Sequence, residues 1–280
     1  MTYVPWYREA EVGQAAVRLA RRLWDADARR RGQAIVCTIA VATPSVATTP
    51  GIWTAPVQRG SDLRTYAARN ACETLEADIC GRQRVRVVFL TDGAEWSARR
   101  RALRMGRIVE AVLSARHEPY VTGFDVLQAS FRDALMTHGS GVVRVRDTDA
   151  GPTLERCLPH QVLVDARDAA YGTPRTWVHR YTADREELAD TYPERRERIY
   201  TTQSAPSDLD WLLSSSDQLY GASDSRVEVV EAWHLGSNGE PGQYVCALGD
   251  GTTLAESEWT SPRAPFAVIT WDRPPSGLWG

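Results

Sequence analysis

Residues 131–165 read FRDALMTHGSGVVRVRDTDAGPTLERCLPHQVLVD, and this stretch decides the fold. Phe131 and Leu135 continue the steps of three and four set by Phe124 and Leu127, which places the four on one face of an amphipathic helix. His138 to Gly141 ends it. Gly139 and Gly141 tolerate the positive φ that side chains resist, so the chain can leave the helix by a tight turn and pass straight into a strand. Val143 and Val145 alternate with Arg144 and Arg146, the period of a half-buried strand. A second strand, Val162 to Asp165, follows Pro159. A helix, a glycine hinge and two strands with no evident catalytic set point to assembly rather than catalysis.

The chain of 280 residues is 43% hydrophobic and 25% charged, ordinary for a globular protein and enough for one large or two small domains. It contains no lysine, so all 33 basic residues are arginine. A phosphate-binding P-loop needs its lysine and Schiff-base chemistry needs an amine, so P-loop nucleotide hydrolysis and pyridoxal-dependent catalysis are excluded. A GC-rich genome accounts for the arginine bias; selection for bidentate contacts is the sharper explanation. The net charge of -3 argues against a broadly basic nucleic-acid binder and leaves only local patches such as Arg99 to Arg104. Five scattered cysteines, Cys37, Cys72, Cys80, Cys157 and Cys246, read as buried thiols of a reducing compartment. No charged segment followed by an apolar core opens the chain, so no secretory signal is expected.

Residues 8–31 read as an arginine-rich helix with Val12, Ala16, Leu19, Leu23 and Trp24 toward one side. From Gln33 to Gln58 all charge disappears, and the prolines at 44, 50 and 56 make this an extended apolar arm. Leu63, Tyr66, Asn70, Leu75 and Ile79 fit a helix packed along one face and stopped by Gly81. A strand over 85–90 follows, then Asp92 and Glu95 as a capping box for a helix running to about His117 with Trp96, Leu103, Ile108, Val112 and Leu113. Past Asp165, a strand over 175–181 leads to Asp184 and Glu187, a second capping signature before a short helix. Residues 202–225 read as a surface loop anchored by Trp211 and Leu212. Segments 227–233, 244–248, 252–259 and 266–271 read as antiparallel strands, with Asn238-Gly239 and Asp250-Gly251 as hairpin turns. The expected class is α+β: residues 1–60 as an N-terminal helix and arm, and 61–280 as one domain with helices mainly over 61–138 and strands mainly over 141–280.

Candidate chemistry is thin. His138-Gly139-Ser140-Gly141 resembles a glycine-rich oxyanion loop, but a nucleophile elbow runs from strand to helix and this one runs from helix to strand. Asp165 and Asp168, with Glu155, offer an acid-base pair or a metal cradle, against the simpler reading of turn formers that bond their own backbone. Cys157 and His160 make a C-x-x-H with no second ligand pair at metal spacing. Arg99, Arg100, Arg101 and Arg104 read as a solvated helix face or as a contact for phosphate or carboxylate. Trp233, Trp259 and Trp271 stand at strand positions where core or subunit packing accounts for them. No catalytic, cofactor-binding or metal-binding residue is assigned, and no enzyme activity or cofactor is expected.

The order of motifs resembles that of tailed-bacteriophage portal proteins over roughly Arg69 to Gly280. The resemblance rests on Arg69-Asn70, on Phe89 to Gly93 with Trp96, and on Arg132 to Leu135 leading into Gly139-Ser140-Gly141-Val142-Val143. It continues through Glu155-Arg156, Pro159, Val164-Asp165, Gly172, Pro174-Arg175, Arg180, Asp184-Arg185, Leu188 and Tyr192-Pro193. Glu231 to Leu235, Pro265-Phe266, Trp271, Pro274, Gly277, Trp279 and Gly280 complete it. The resemblance implies a portal wing-like domain and a structural subunit of a ring, usually of twelve copies, at one capsid vertex of the virion, made in the host cytoplasm. Double-stranded DNA would pass through such a ring during packaging and ejection, with capsid and scaffolding protein, terminase and head-tail connector as partners and no membrane involved. Portal chains usually continue past the segment matching Pro274 to Gly280 into stem, clip and crown, so the resemblance reaches the wing alone and implies a fragment, a split gene or a shortened chain. The alternatives are an α+β phage or host protein with an unrecognised enzymatic site, and an arginine-rich nucleic-acid-binding module.

Overall fold

The computed structural model describes residues 5–32, 67–80, 95–118, 121–136, 139–148, 151–171, 174–204, 225–237, 239–271 and 279. In chain order the elements are α1 (Val12–Ala26), α2 (Ala67–Cys80), α3 (Trp96–Ser114), β1 (Arg116–Glu118), β2 (Val121–Thr122), α4 (Gly123–Met136), β3 (Ser140–Thr148), β4 (Gly151–Cys157) and β5 (Val162–Val164). Then follow α5 (Ala166–Tyr171), β6 (Thr176–Asp184), α6 (Arg185–Thr191), α7 (Arg196–Thr201), β7 (Arg226–His234), β8 (Gly242–Leu248), β9 (Thr253–Trp259) and β10 (Phe266–Thr270). Helices come first and antiparallel strands dominate the later half, so the class is α+β, as the sequence indicates. The apolar arm, the strand over 85–90, Asp92, His138 and the Trp211-Leu212 anchor lie outside the described residues.

Contacts divide the chain into two units, one of residues 1–35, 159–264 and 273–279, the other of 36–158, 265–272 and 280. This differs from the division expected at residue 60, because the N-terminal helix belongs to the unit that holds the larger sheet. Residue 60 itself lies outside the described residues.

The first unit is built on the antiparallel sheet β5-β6-β7-β8-β9. Helix α1 lies on one face, with Ala16, Ala20, Leu23 and Trp24 against Val178, Val230, Ala232 and Val245. The expected apolar side of this helix is therefore the buried one. Its alanines let the helix approach closely, and each large apolar side chain it buries contributes about 1.5–3 kcal/mol. The other face of the sheet carries a second cluster, where Leu188, Ala189 and Ile199 from α6 and α7 meet Val227, Val229, Cys246 and Leu248. Asp184 caps α6 by accepting from the amides of Glu186 and Glu187, and Gly239 and Gly251 take φ of 84° and 92° in the two expected hairpin turns.

The second unit holds the sheet β10-β3-β4. Strand β10 does not continue the run β7-β8-β9 as the sequence suggests; it pairs with β3, from Phe266 opposite Arg144 to Thr270 opposite Ser140. Strand β3, already paired with β4, is thereby hydrogen-bonded on both edges, which a buried strand requires. Helix α4 packs on β3 and β4, and α2 and α3 pack on α4. Three expectations change here. The deepest face of α4 is Val126, Ser130, Asp133 and Ala134, while Phe124, Leu127, Phe131 and Leu135 are half-buried. Arg144 is buried at 6% exposure and Val145 is exposed at 46%, the reverse of their hydropathy, because an ion-pair partner stands beside Arg144 and the strand runs out of the core at Val145. Helix α2 buries Glu76 and leaves Leu75 and Ile79 exposed, since Arg132 and Gln128 of α4 hold the Glu76 carboxylate.

Candidate functional site

The glycine hinge forms the centre of the second unit. Gly139 takes φ 65°, the left-handed conformation that turns the chain out of α4. Gly141 serves a different need: a Cβ there would stand 1.8 Å from the Ser130 carbonyl oxygen, so only glycine lets α4 lie this close to β3. The Ser130 hydroxyl donates to the Val142 carbonyl at 3.2 Å, and the Trp271 amide donates to the Gly139 carbonyl at 3.1 Å. Backbone of the protein itself occupies the space beside Gly141, so this glycine serves close packing.

Charged pairs surround the hinge. Arg156 of β4 donates through Nε and Nη2 to both oxygens of Asp133, at 2.7 and 2.5 Å. Arg132 forks onto Glu76, both bonds at 2.7 Å, and Gln128 donates to the same carboxylate at 2.8 Å. Arg144 and Arg146 each stand 3.7 Å from Glu155. The Arg132 guanidinium holds the Glu76 carboxyl below its ordinary range against the opposing effect of burial. Asp133 goes the other way: burial raises it more than Arg156 lowers it. Phe131 meets Trp271 edge to face at 6.5 Å, completing the contact of α4 with β10.

Among the described residues the remaining candidates make separate local contacts. Asp165 accepts from the Arg167 amide at 2.8 Å and starts α5, which makes it a turn former, and Asp168 is an exposed residue in the first turn of that helix. Glu155 is engaged with Arg144 and Arg146. Cys157 is buried opposite Val142 in the β3–β4 ladder, and His160 is buried with its ring edge-on to Trp24 at 6.5 Å. Cys157 and Cys246 are buried, and Cys72 is half-buried. Among the described residues no group of three or more His, Cys, Asp or Glu is placed to hold a metal, and no helix is long and apolar enough to cross a membrane.

Helix α3 presents the most unusual surface. Trp96 is 72% and Leu103 68% exposed, and Met105 and Ile108 are also exposed, although the sequence pattern suggests packing. Leu113 is buried as expected, but otherwise the helix turns inward Ala98, Ala102, Gly106 and Val109, smaller residues that fit it against α4 and β4. Arg99, Arg100, Arg101, Arg104 and Arg107 are all exposed. The Arg100 guanidinium stands 6.0 Å from the Trp96 ring centroid.

A buried polar cluster in the larger sheet escaped the sequence reading. His179 of β6 stands opposite Glu231 of β7, its Nδ1 3.7 Å from Glu231 Oε2, and the Tyr244 hydroxyl of β8 donates to Glu231 Oε1 at 2.8 Å. Burial pushes the Tyr244 phenol far up, and the neighbouring Glu231 charge adds to this. On the opposite face Arg180 donates to Glu228 at 2.6 Å, with its guanidinium 4.5 Å from the Trp24 ring centroid. The signal was present as Glu228 and Glu231, two carboxylates inside the otherwise apolar run of β7. These contacts tie β6, β7 and β8 together side chain to side chain. Set against known protein families and curated proteins, the chain matches neither a family nor a curated protein.

Proposed function

We propose that the chain is a structural subunit of a tailed-phage portal ring, part of the conduit at the capsid vertex through which the genome is packaged and ejected. One observation carries the reading beyond the order of motifs. Part of the set that bears the resemblance, Arg132, Asp133, Gly139, Gly141, Glu155, Arg156, Phe266 and Trp271, lies in one unit, where Asp133 pairs with Arg156, Arg132 with Glu76 and Glu155 with Arg144 and Arg146; the part from Pro159 to Leu235 lies in the other. Such a set holds a scaffold and leaves no charged member poised for chemistry. Ring subunits associate head to tail through two different surfaces.

Native mass spectrometry of the purified chain, with negative-stain imaging of the same sample, tests the reading. Closed rings of a fixed copy number, about twelve by the portal resemblance, are the expected result. A single-copy species, 31.2 kDa for this chain, from this chain and equally from the same chain extended downstream, persisting at tens of micromolar and across salt concentrations, overturns it.

A further inference from the structure

We infer that the outer face of α3 binds the phosphodiester backbone of nucleic acid. The inference stands apart from the ring reading. Arg100, Arg104 and Arg107 follow at steps of four and three, with Trp96 four residues before Arg100, so the four side chains form one row along the helix. The row is about 16 Å long at 1.5 Å per residue and faces away from the inward-turned Ala102, Gly106 and Leu113. Arg99 and Arg101 flank it.

Charge identifies the partner. Helix α3 with its cap residue carries five arginines against Glu95 and Glu110, in a chain whose net charge is -3. Elsewhere arginines meet carboxylates, as Arg132, Arg156, Arg180 and Arg196 do. Among the described residues none of the five on α3 has an ion pair. Guanidinium groups match phosphate oxygens in pairs, and an exposed Trp offers a face on which an unpaired base can stack. An apolar protein partner fits less well, because Leu103 is bordered by Arg99, Arg100 and Arg107 at helical spacing, and interface cores are depleted of charge.

The test is fluorescence anisotropy with a labelled 30-base-pair duplex and a 30-nucleotide single strand, from 50 to 300 mM NaCl. Replacing Arg100→Gln, Arg104→Gln and Arg107→Gln together should lower the slope of log affinity against log salt by about 2.7 for duplex, or about 2.1 for single strand. Affinity should fall more than tenfold at 100 mM NaCl with helicity by circular dichroism unchanged. Trp96→Ala should weaken the single strand at least fivefold and leave the duplex nearly unaffected. The pair Arg195→Gln and Arg196→Gln, exposed in the first unit, should leave both slopes as they are. No binding by the native chain at 50 mM NaCl, or an unchanged slope in the triple variant, overturns the inference. So does a triple variant that alters self-association while the chain binds neither nucleic acid, since α3 is then a protein-docking face. Native mass spectra of the same samples separate the two proposals: rings without binding sink this one alone, and binding without rings, from the extended chain as well, sinks only the ring.

Discussion

Replacing Gly141 by alanine puts a methyl group where the backbone of α4 already lies. Its Cβ would stand 1.8 Å from the Ser130 carbonyl oxygen and 2.6 Å from the carbonyl carbon, where ordinary contact begins at 3.4 Å. Neither obstacle is a side chain that can rotate aside. Helix α4 must therefore move as a body away from β3, and Asp133, one turn on from Ser130, strains its fork with Arg156 as it goes. Overpacking a close-packed interior costs about 1–3 kcal/mol, and a backbone obstacle puts this case at the upper end, about 3 kcal/mol. At about 1.4 kcal/mol per tenfold, the opening equilibrium of the second unit rises by roughly a hundredfold. Native-state hydrogen exchange read by mass spectrometry resolves this by segment. Amides of 123–136 and 140–148 should exchange about a hundredfold faster, while those of 227–233 and 244–248 keep their protection. Gly151→Ala is the comparison, since φ there is 113° with nothing within 4 Å of the added Cβ, so it meets backbone strain alone at about 1–2 kcal/mol. Unchanged protection of α4 and β3 in Gly141→Ala would refute the close-approach reasoning.

Glu76→Gln should destabilise the second unit by about 1–2 kcal/mol at pH 7, because it weakens charge-assisted bonds to a half-exposed Arg132. Because the folded Glu76 carboxyl lies below its ordinary value of 4.5, its contribution is present above that pH and is lost as pH falls through the lowered value. Urea midpoints of the native chain and the variant should therefore converge on acidification below about pH 4. Arg180→Met leaves Glu228 buried without the Arg180 bond and should cost about 3–5 kcal/mol. The double variant Arg180→Met/Glu228→Leu should recover most of that; a double variant as unstable as the single one would show that the pair is not the cause. Tyr244→Phe removes a donor from buried Glu231 and should cost about 1–3 kcal/mol. In a spectrophotometric titration the folded native chain should retain one protonated phenol at alkaline pH, absent from the variant, because burial and then Glu231 raise Tyr244.

Much of the local structure was legible before any contact was known. The apolar side of α1, the Asp184 cap, the hairpin glycines Gly239 and Gly251 and the strands β5 to β9 all appear near where periodicity and turn chemistry put them. Gly139 was read for its conformation and does take positive φ. Gly141 was read for the same reason, but what it supplies is an absent Cβ against Ser130, which no local pattern reveals. Of the expected apolar face of α3, Leu113 is buried and Val112 half-buried, while Trp96, Leu103 and Ile108 are exposed and Gly106 is buried in their place. A 3.6-residue period gives the direction of an apolar face but not whether anything covers it.

By itself the sequence determined the α+β class and most strands and turns of the larger sheet, though not strand β4, because these follow from steric and hydrogen-bonding preferences among residues a few positions apart. Tertiary structure alone decided that β10 leaves the larger sheet to pair with β3, and that Arg144 is buried while Val145 is not. It alone assembled His179, Glu231 and Tyr244 across three strands and left the α3 arginines outward. Each of these depends on which distant segment arrives as neighbour. That choice is made by burial and edge pairing summed over the whole unit, and no short window of sequence contains it.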